Sequence, residues 1–368
     1  MTTAIRRSVG SAGLATLIAW LAAAGSAAAQ TPPTDLTHLS LAELLKVDLG
    51  DAPDVRWHVD YRFLSVRFDG YRTNTDEMTS ESLLFRPGMT RTARNFPVVP
   101  TSIVQQAHLV EVGYEINREW SIGGSVPIVR QTTDHISSVA GFERFRVETG
   151  GLGDIGLTVR HRSSQHGTQV TTSAGMSLPT GSIDEHGRTP RGPDVDLPYT
   201  MQLGSGTVDL VGGASYGRRL LPRLGAARLV GWGTQVSGLY RVGHNARAYR
   251  LGHAVSGEGW LSLEPHRRLH ASAALQVSLQ GRIDGVDRSL VMPGEFPYTA
   301  PVVDPAAYGG SKTHVRFTFD VPLGALPDAE HPARSSFEVM VNRCIGMDLN
   351  GPQPAERWRL AAGWKMSF

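Results

Sequence analysis

Two short glycine motifs in this sequence have spacings that carry chemistry in other proteins. The first, Gly151-Leu-Gly-Asp-Ile-Gly156, has the G-x-G-x-x-G spacing of a dinucleotide site. In such a site the glycines follow a strand and open a helix whose N-terminus binds the pyrophosphate. Here the next residues, LTVRHRSS, alternate as a strand does. We therefore expect no cofactor and interpret the glycines as the place where a long loop enters a strand.

The second motif, Gly213-Ala-Ser-Tyr-Gly217, has the G-x-S-x-G spacing of a hydrolase nucleophile. That nucleophile needs a strand–turn–helix context and a histidine base close to the serine. Ser215 instead lies inside a glycine-rich, strand-like segment before a short turn. The motif therefore does not predict an enzyme.

The 13 histidines are scattered over loops and strands. A metal site requires clustered ligands, such as two histidines on one face, whereas His161 and His166 bracket one turn and His266 and His270 bracket another. We expect no metal. A net charge of +2 gives no reason to expect a nucleic-acid partner, and the single cysteine, Cys344, excludes an internal disulfide.

The N-terminal residues have the pattern of a signal peptide. Arg6 and Arg7 precede an apolar run over 14–24, and an A-x-A site follows at 27–29. The run is shorter than the roughly twenty apolar residues of a spanning helix. We expect export, with cleavage between Ala29 and Gln30.

The segment 30–54 contains one short helix. Ser40 and Glu43 form a capping-box pattern, and Leu41, Leu44 and Leu45 share one face. This helix is expected in the periplasm, and the remaining residues, 55–368, are expected to form a single β domain.

Segments with a period of two dominate residues 55–368. In THVRFTFDV (313–321), valine and phenylalanine occupy every second position, and polar or charged residues lie between them. About twelve such segments of roughly ten to fourteen residues are present, whereas soluble strands average five or six residues and bilayer-spanning strands about nine to eleven.

Connections between these segments alternate between short and long. Short turns such as Asn117-Arg118 alternate with expected loops at 69–103, 131–149, 180–203, 241–254 and 281–311. Outer-membrane barrels have this asymmetry, and a closed barrel leaves no unpaired strand edge in lipid. The sequence therefore predicts an all-β, transmembrane, antiparallel up-and-down barrel of about 12 strands, within a range of 10–14.

The last segment, RWRLAAGWKMSF, is apolar at every even position up to Phe368. We expect this strand to close the barrel against the first one, with its apolar face toward outer-membrane lipid. Trp364 and Phe368 resemble the terminal aromatic signal by which the barrel-assembly machinery recognises outer-membrane barrels.

Charged side chains on the opposite faces are expected in the lumen, because an Arg or Lys on the lipid face would cost roughly 2–4 kcal/mol at the midplane. The expected lumen-lining residues are Arg56, His58, Asp60, Arg62, Glu111, Glu115, Arg160, His314, Arg316, Asp320, Glu338, Arg357 and Arg359. They could pair with one another and fill a closed barrel, or they could form the polar wall of a solute pathway.

Four stretches carry a family resemblance: GLGDIGLTVRHR (151–162), GMSLPTGSID (175–184), LPYTMQLGSGTVDL (197–210) and GHNARAYRLGH (243–253). Together they resemble the outer-membrane family named for the MetA pathway of phenol degradation, whose members are often labelled transporters. The resemblance implies a β-barrel and a link to the uptake of aromatic compounds. It implies no particular binding residue.

The function expected from the sequence is an outer-membrane channel or transporter for small molecules, with small aromatic solutes as one candidate class. The first alternative is a plugged structural or interaction barrel. The second is an outer-membrane hydrolase, because some enzymes of that membrane are also barrels.

Overall fold

Period-two alternation folds the chain into a closed antiparallel ring of strands. The computed structural model describes residues 56–220, 223–224, 227–266, 268–325 and 334–368. The expected signal peptide 1–29, its cleavage site at Ala29 and Gln30, and the segment 30–54 with its helix all lie outside the described residues.

The described elements follow one another along the chain almost entirely as strands. They are β1 (Trp57–Asn74), β2 (Asp76–Met78), α1 (Ser80–Leu83), β3 (Val98–Glu115), β4 (Trp120–Ser137), β5 (Arg144–Leu152), β6 (Ile155–Gln165), β7 (Thr168–Leu178), β8 (His186–Thr189), β9 (Gly192–Asp196), β10 (Val208–Arg219), β11 (Arg223–Leu224), β12 (Ala227–Val242), β13 (Tyr249–Arg250), β14 (Ala254–His266), β15 (Leu269–Gln280), β16 (Asp284–Gly285), β17 (Gly310–Ala325) and β18 (Arg334–Ser367). Short 3-10 helices cover Tyr199–Met201, Arg288–Leu290, Pro301–Val303 and Pro305–Ala307.

Within the described residues, eleven of these elements form the ring, in the order β1, β3, β4, β6, β7, β10, β12, β14, β15, β17 and β18, and β18 pairs back onto β1. Where the ring closes, the Trp57 and Phe368 backbones exchange hydrogen bonds of 2.9 and 3.0 Å. Closure therefore involves the last residue of the chain, as the sequence predicts, and the strand count of eleven lies within the expected range.

The last element, β18, has two neighbours. Its first part, Arg334–Leu349, pairs with β17, and its second part, up to Ser367, pairs with β1. Lys365 Nζ lies 2.7 Å from Glu338 Oε2, so the two parts also contact each other.

The two faces of the ring differ in the way the alternation predicts. Along β1, Trp57 and Tyr61 are exposed while His58, Asp60 and Arg62 are buried. In the second part of β18 and at Phe368 next to it, the exposed large apolar side chains are Trp358, Leu360, Trp364 and Phe368. Because a strand in a closed single-layered ring has one outer and one inner face, the exposed apolar face is the outer one. In the part of the chain that is described, no helix is both long and apolar enough to cross a membrane.

One expected loop is mostly strand. Residues 131–149 were expected to form a loop, but β4 continues to Ser137 and β5 already begins at Arg144. The side chains of Gln131, Thr133 and His135 stay buried in strict alternation. Because this part of the strand has polar residues on both faces, its sequence lacks the apolar–polar alternation that predicts a strand. Its backbone hydrogen bonds nevertheless continue.

Three long loops, 179–207, 243–253 and 281–309, leave the ring at the same end and pack on one another. Their buried residues form the loop cluster Tyr199, Tyr249, Leu251, Ile283, Leu290, Ala300, Val302, Val303 and Tyr308. The Tyr199 ring lies 4.7 Å from that of Tyr249 and 5.8 Å from that of Tyr308, centroid to centroid. These loops make a folded cap with its own small core.

Candidate functional site in the barrel interior

One side of the inner face is apolar. A buried cluster, here called the apolar strip, contains Leu64, Val66, Phe68, Ile103, Ala107, Val129, Leu203, Met340 and Ala361. Most of these residues come from inward positions of β1, β3, β4 and β18, while Leu203 comes from the first long loop. The strip continues into a narrow cavity below the loop cluster, whose lining includes Phe68, Ile103, Val302, Tyr308 and Pro354.

The adjacent side carries a buried ion cluster centred on Glu356. Its carboxylate accepts hydrogen bonds from Lys312 Nζ at 2.9 Å and Arg359 Nη2 at 2.8 Å. His314 Nε2 lies 3.2 Å from the same carboxylate. The Glu356 side chain is only 1% exposed, so these contacts replace the water that the charges lose on burial.

A second pair on this polar side joins Arg316 of β17 to Glu258 of β14. Both residues are buried. The pair has one positive and one negative charge.

The opposite end of the interior holds a lower ion group. Glu338 lies 2.7 Å from Lys365 and 3.6 Å from Arg62. Asp60 is buried close to the same two cations and interacts with both electrostatically. His58, Asp60, Glu111 and Arg160 line one cavity there. His58 Nε2 is 3.6 Å from Glu115 Oε1.

Most of the side chains expected in the lumen lie on this inner face. His58, Asp60, Arg62, Glu111, His314 and Arg316 are buried, and Glu115, Arg160, Asp320, Glu338 and Arg359 are half-buried. Arg56 is exposed just before β1 and contacts the Tyr114 hydroxyl at 3.4 Å.

Arg357 lies away from these groups. Its guanidinium contacts the Asp69 carbonyl at 3.0 Å and Glu77 at 3.4 Å. The register of β18 on β1 shifts between the pairs Arg67↔Trp358 and Phe68↔Glu356. This bulge adds one residue to β18 and gives the buried position to Glu356.

Sequence reasoning missed Glu356, Lys312, Glu258 and Lys365. Lys312 stands two residues before His314 on the same face, so the alternation could have identified it. Lys365 lies on the same face as Arg359, because an even number of positions separates the two, so the alternation could have identified it as well. Glu356 could not be found in this way, because the bulge reverses the alternation.

The first long loop enters the ring where β5 ends and β6 begins. Asp154, 3% exposed, accepts hydrogen bonds from Gly181 N at 2.9 Å, Ser205 N at 2.8 Å and Ser205 Oγ at 2.8 Å. A Cβ at Gly151 would lie 2.9 Å from Leu203 Cδ1. The first glycine motif therefore supplies an anchor and the room for the loop, at the junction of two strand elements.

A buried ion pair supports this anchor. Arg241 Nη1 donates to Asp209 Oδ2 at 2.6 Å, and Thr207 Oγ1 donates to Asp209 Oδ1 at 2.7 Å. Arg241 is fully buried. The residues 154, 205, 207 and 209 all lie in stretches on which the family resemblance is based.

Arg247 ties the loops of the cap together. Its guanidinium contacts Asp184 at 2.9 Å, Asp196 at 2.7 Å and Asp287 at 3.1 Å. The hydrogen bond from Arg247 is the main reason that the pKa of Asp196 is lowered from its ordinary value. Three carboxylates from two loops thus share one cation from a third.

The hydrolase motif lies inside a continuous strand. Ser215 lies in the middle of β10, where it pairs with Thr171 on one side and Gln235 on the other, and the strand continues to Arg219. Among the described residues, no group of three histidine, cysteine or acidic side chains is arranged to hold a metal ion.

The structure is therefore a closed barrel under a folded cap, and its inner face is apolar on one side and charged on the other. The crystal structure of an outer membrane channel from Pseudomonas putida F1 is similar, with a TM-score of 0.51, 13% identity, and coverage of 88% of this chain and 100% of that chain. At this identity the likeness shows that the two proteins share the outer-membrane barrel fold.

Two further solved structures are more distant. They are the transport unit of the autotransporter AIDA-I from Escherichia coli (TM-score 0.43, 9% identity, 90% of this chain and 96% of that chain) and a mutant of the monoaromatic hydrocarbon channel TodX (TM-score 0.38, 10% identity, 93% and 96%). No family model matches the sequence, and no curated protein matches it.

Proposed function

We propose that this protein is an outer-membrane channel for small molecules and that aromatic compounds are among its solutes. The observation that supports this most is the apolar strip inside the ring, which continues into the cavity under the loop cluster. Pores for hydrated ions are lined by polar groups. A wall with Phe68 and Ile103 on one side and ionised groups on the other suits a solute with an apolar body.

The proposal includes the membrane location and the route to it. Exposed apolar side chains on the outer face, such as Val110, Phe317 and Trp364, suit contact with outer-membrane lipid. Export through a signal peptide cleaved between Ala29 and Gln30, and insertion by the barrel-assembly machinery through Trp364 and Phe368, complete the route. Membership of the phenol-degradation family belongs to the same proposal.

We count the wall as twelve crossings. A straight 34-residue strand would be on the order of 110 Å long, several times the roughly 25 Å apolar band of an outer-membrane barrel. Because the two parts of β18 contact each other and pair with different neighbours, they form a hairpin. An even number of crossings returns both ends of the barrel to the periplasm.

The test compares solute uptake. Outer-membrane vesicles from cells with and without the protein are mixed with radiolabelled phenol, and initial uptake rates are measured. We expect faster uptake with the protein. Phe68→Glu, which places a carboxylate in the apolar strip, should slow it, whereas Gln276→Glu, the same charge on the polar side, should slow it much less. Equal rates with and without the protein would overturn the proposal.

A plugged structural barrel is the second candidate. The observation that favours it is Leu203, which the first long loop inserts among the buried residues of the inner face. A plugged barrel would fold and be heat-modifiable on gels but would pass neither phenol nor ions.

A further inference from the structure

The outer face of the barrel carries two arginines that form no ion pair with any described residue. Arg67 of β1 is exposed, between the inward residues Val66 and Phe68. Arg343 of β18 is half-buried on the same outer face, where its neighbours along the strand again point inward. Both cations therefore lie on the side of the wall that faces away from the lumen.

An exposed tryptophan joins the two arginines. The guanidinium of Arg343 lies 4.4 Å from the centroid of the Trp358 ring, and its Nη1 donates to the Arg357 carbonyl at 3.3 Å. Trp358 is in turn the register partner of Arg67 and is 43% exposed. The cation–π contact holds Arg343 against the wall, and most of its five N–H donors stay available to a further partner.

This group lies about one apolar band above the lower end of the wall. Arg67 is ten positions beyond Trp57 on β1, and Trp358 is ten positions before Phe368. The Trp57 and Phe368 backbones meet where the ring closes. Ten residues of strand rise about 33 Å, which is about 25 Å along the membrane normal at the tilt of a membrane strand, and the apolar band has the same height. The arginines therefore lie where lipid tails meet headgroups, at the end that carries the cap.

Two carboxylates of this rim lie farther from the membrane. Asp69 is two positions beyond Arg67 on the same face, or about 7 Å along the strand. Glu77 of β2 contacts Arg72 at 2.7 Å and Arg357 at 3.4 Å. Because neither carboxylate pairs with Arg67 or Arg343, both arginines are available to an anion from outside the protein.

The wall directly below the arginines is apolar. Leu360 is 48% exposed and Trp364 43% exposed, and both follow Trp358 on the outward face of β18. Acyl chains can pack along this surface while their headgroup reaches the arginines. A lipid therefore matches the whole surface, whereas a free anion would match only its upper part.

We propose that Arg67, Arg343 and Trp358 bind a phosphate group of lipopolysaccharide, the phosphorylated glycolipid of the outer leaflet. A guanidinium binds phosphate through two parallel N–H bonds, and an indole ring suits the boundary between lipid tails and headgroups. This inference rests on the proposed outer-membrane location and adds a lipid partner to the proposed channel.

The test compares lipid A, the membrane anchor of lipopolysaccharide, with the same lipid after its phosphates have been removed. Each is added to the detergent-solubilised barrel, and native mass spectrometry measures the fraction of barrels that carry one lipid. We expect the phosphorylated lipid to bind at least tenfold more tightly, because each arginine near a membrane surface contributes about fivefold to the affinity for an anionic lipid.

Substitutions assign this preference to the site. Arg67→Gln and Arg343→Gln should each weaken lipid A binding about fivefold and leave the dephosphorylated lipid unaffected. Arg118→Gln is the matched control, since it removes one exposed arginine from a short turn at the opposite end of the barrel. It should change neither affinity by more than about twofold.

Three results would overturn the lipid site. They are equal binding of the two lipids, a loss of lipid A in Arg118→Gln as large as in Arg67→Gln, and complete displacement of lipid A by an equal concentration of inorganic phosphate. The last result would assign the arginines to a free anion.

Phenol uptake judges the channel proposal separately. If uptake depends on the protein but the two lipids bind equally, the channel survives and the lipid site fails. If uptake is independent of the protein but lipid A binding requires Arg67 and Arg343, the lipid site survives and the channel fails.

Discussion

Asp154 holds the inserted loop in place, and its removal should release that loop. In Asp154→Ala the backbone N–H groups of Gly181 and Ser205 lose their acceptor. Each buried unsatisfied donor costs about 1–3 kcal/mol. The Ser205 hydroxyl keeps its bond to the Thr207 carbonyl at 3.0 Å, so we count only the two backbone groups. The loop should be destabilised by about 2–6 kcal/mol, less whatever water recovers.

Hydrogen exchange followed by mass spectrometry measures this effect directly. A loss of about 3 kcal/mol corresponds to roughly 100-fold faster exchange in residues 199–207. Asp154→Asn keeps one acceptor oxygen and should show a smaller effect. As a matched control, Glu143→Ala removes the acceptor of Gly141 N at 3.0 Å in another loop and should leave 199–207 unchanged. Unchanged exchange in Asp154→Ala, or the same increase throughout the barrel, would refute the anchoring role.

Three further predictions concern the cap, the outer face and the wall. Arg247 is the main cause of the lowered pKa of Asp196. Their pair should therefore stabilise the cap above the ordinary aspartate pKa and lose this effect as the pH falls through the lowered value. Arg247→Ala should weaken this pH dependence of hydrogen exchange in the cap. Phe317 is 48% exposed near the middle of β17. Phe317→Arg should therefore lower the free energy of unfolding in liposomes by about 2–4 kcal/mol, and Phe317→Leu should lower it by much less. Equal effects of the two substitutions would contradict a lipid-facing position. A Cβ at Gly233 would overlap the Trp260 ring. Gly233→Ala should therefore displace that ring and destabilise the barrel by about 1–3 kcal/mol, which tryptophan emission and the unfolding midpoint would report. An unchanged emission spectrum and midpoint would contradict this packing.

The sequence predicts the barrel wall well because the two faces of a membrane strand meet different solvents. Phe317 and Phe319 are exposed and His314 and Arg316 are buried, as the alternation predicts. The same signal disappears where the outward side chains are polar as well, as at Thr132 and Asp134 of β4. The upper half of β4, beyond Gln131, therefore resembles a loop in sequence although it is a strand.

The ion cluster was only partly predictable, since alternation fixes a face but not a partner. His314 and Arg359 were expected inside, but their shared carboxylate, Glu356, owes its position to a bulge that shifts the register. The contact of Asp154 with Ser205 joins residues 51 positions apart. No local pattern records such a contact, because it forms only when the loop folds into the ring.

Single-channel recording of the refolded barrel in a planar bilayer tests the central claim most directly. If solutes pass along the inner face of the barrel, the protein should give discrete current steps in plain salt. In Asp154→Ala, which releases the inserted loop, these steps should become larger or more frequent. A folded, heat-modifiable barrel that stays silent in both forms would contradict a solute pathway through the lumen and favour the plugged barrel.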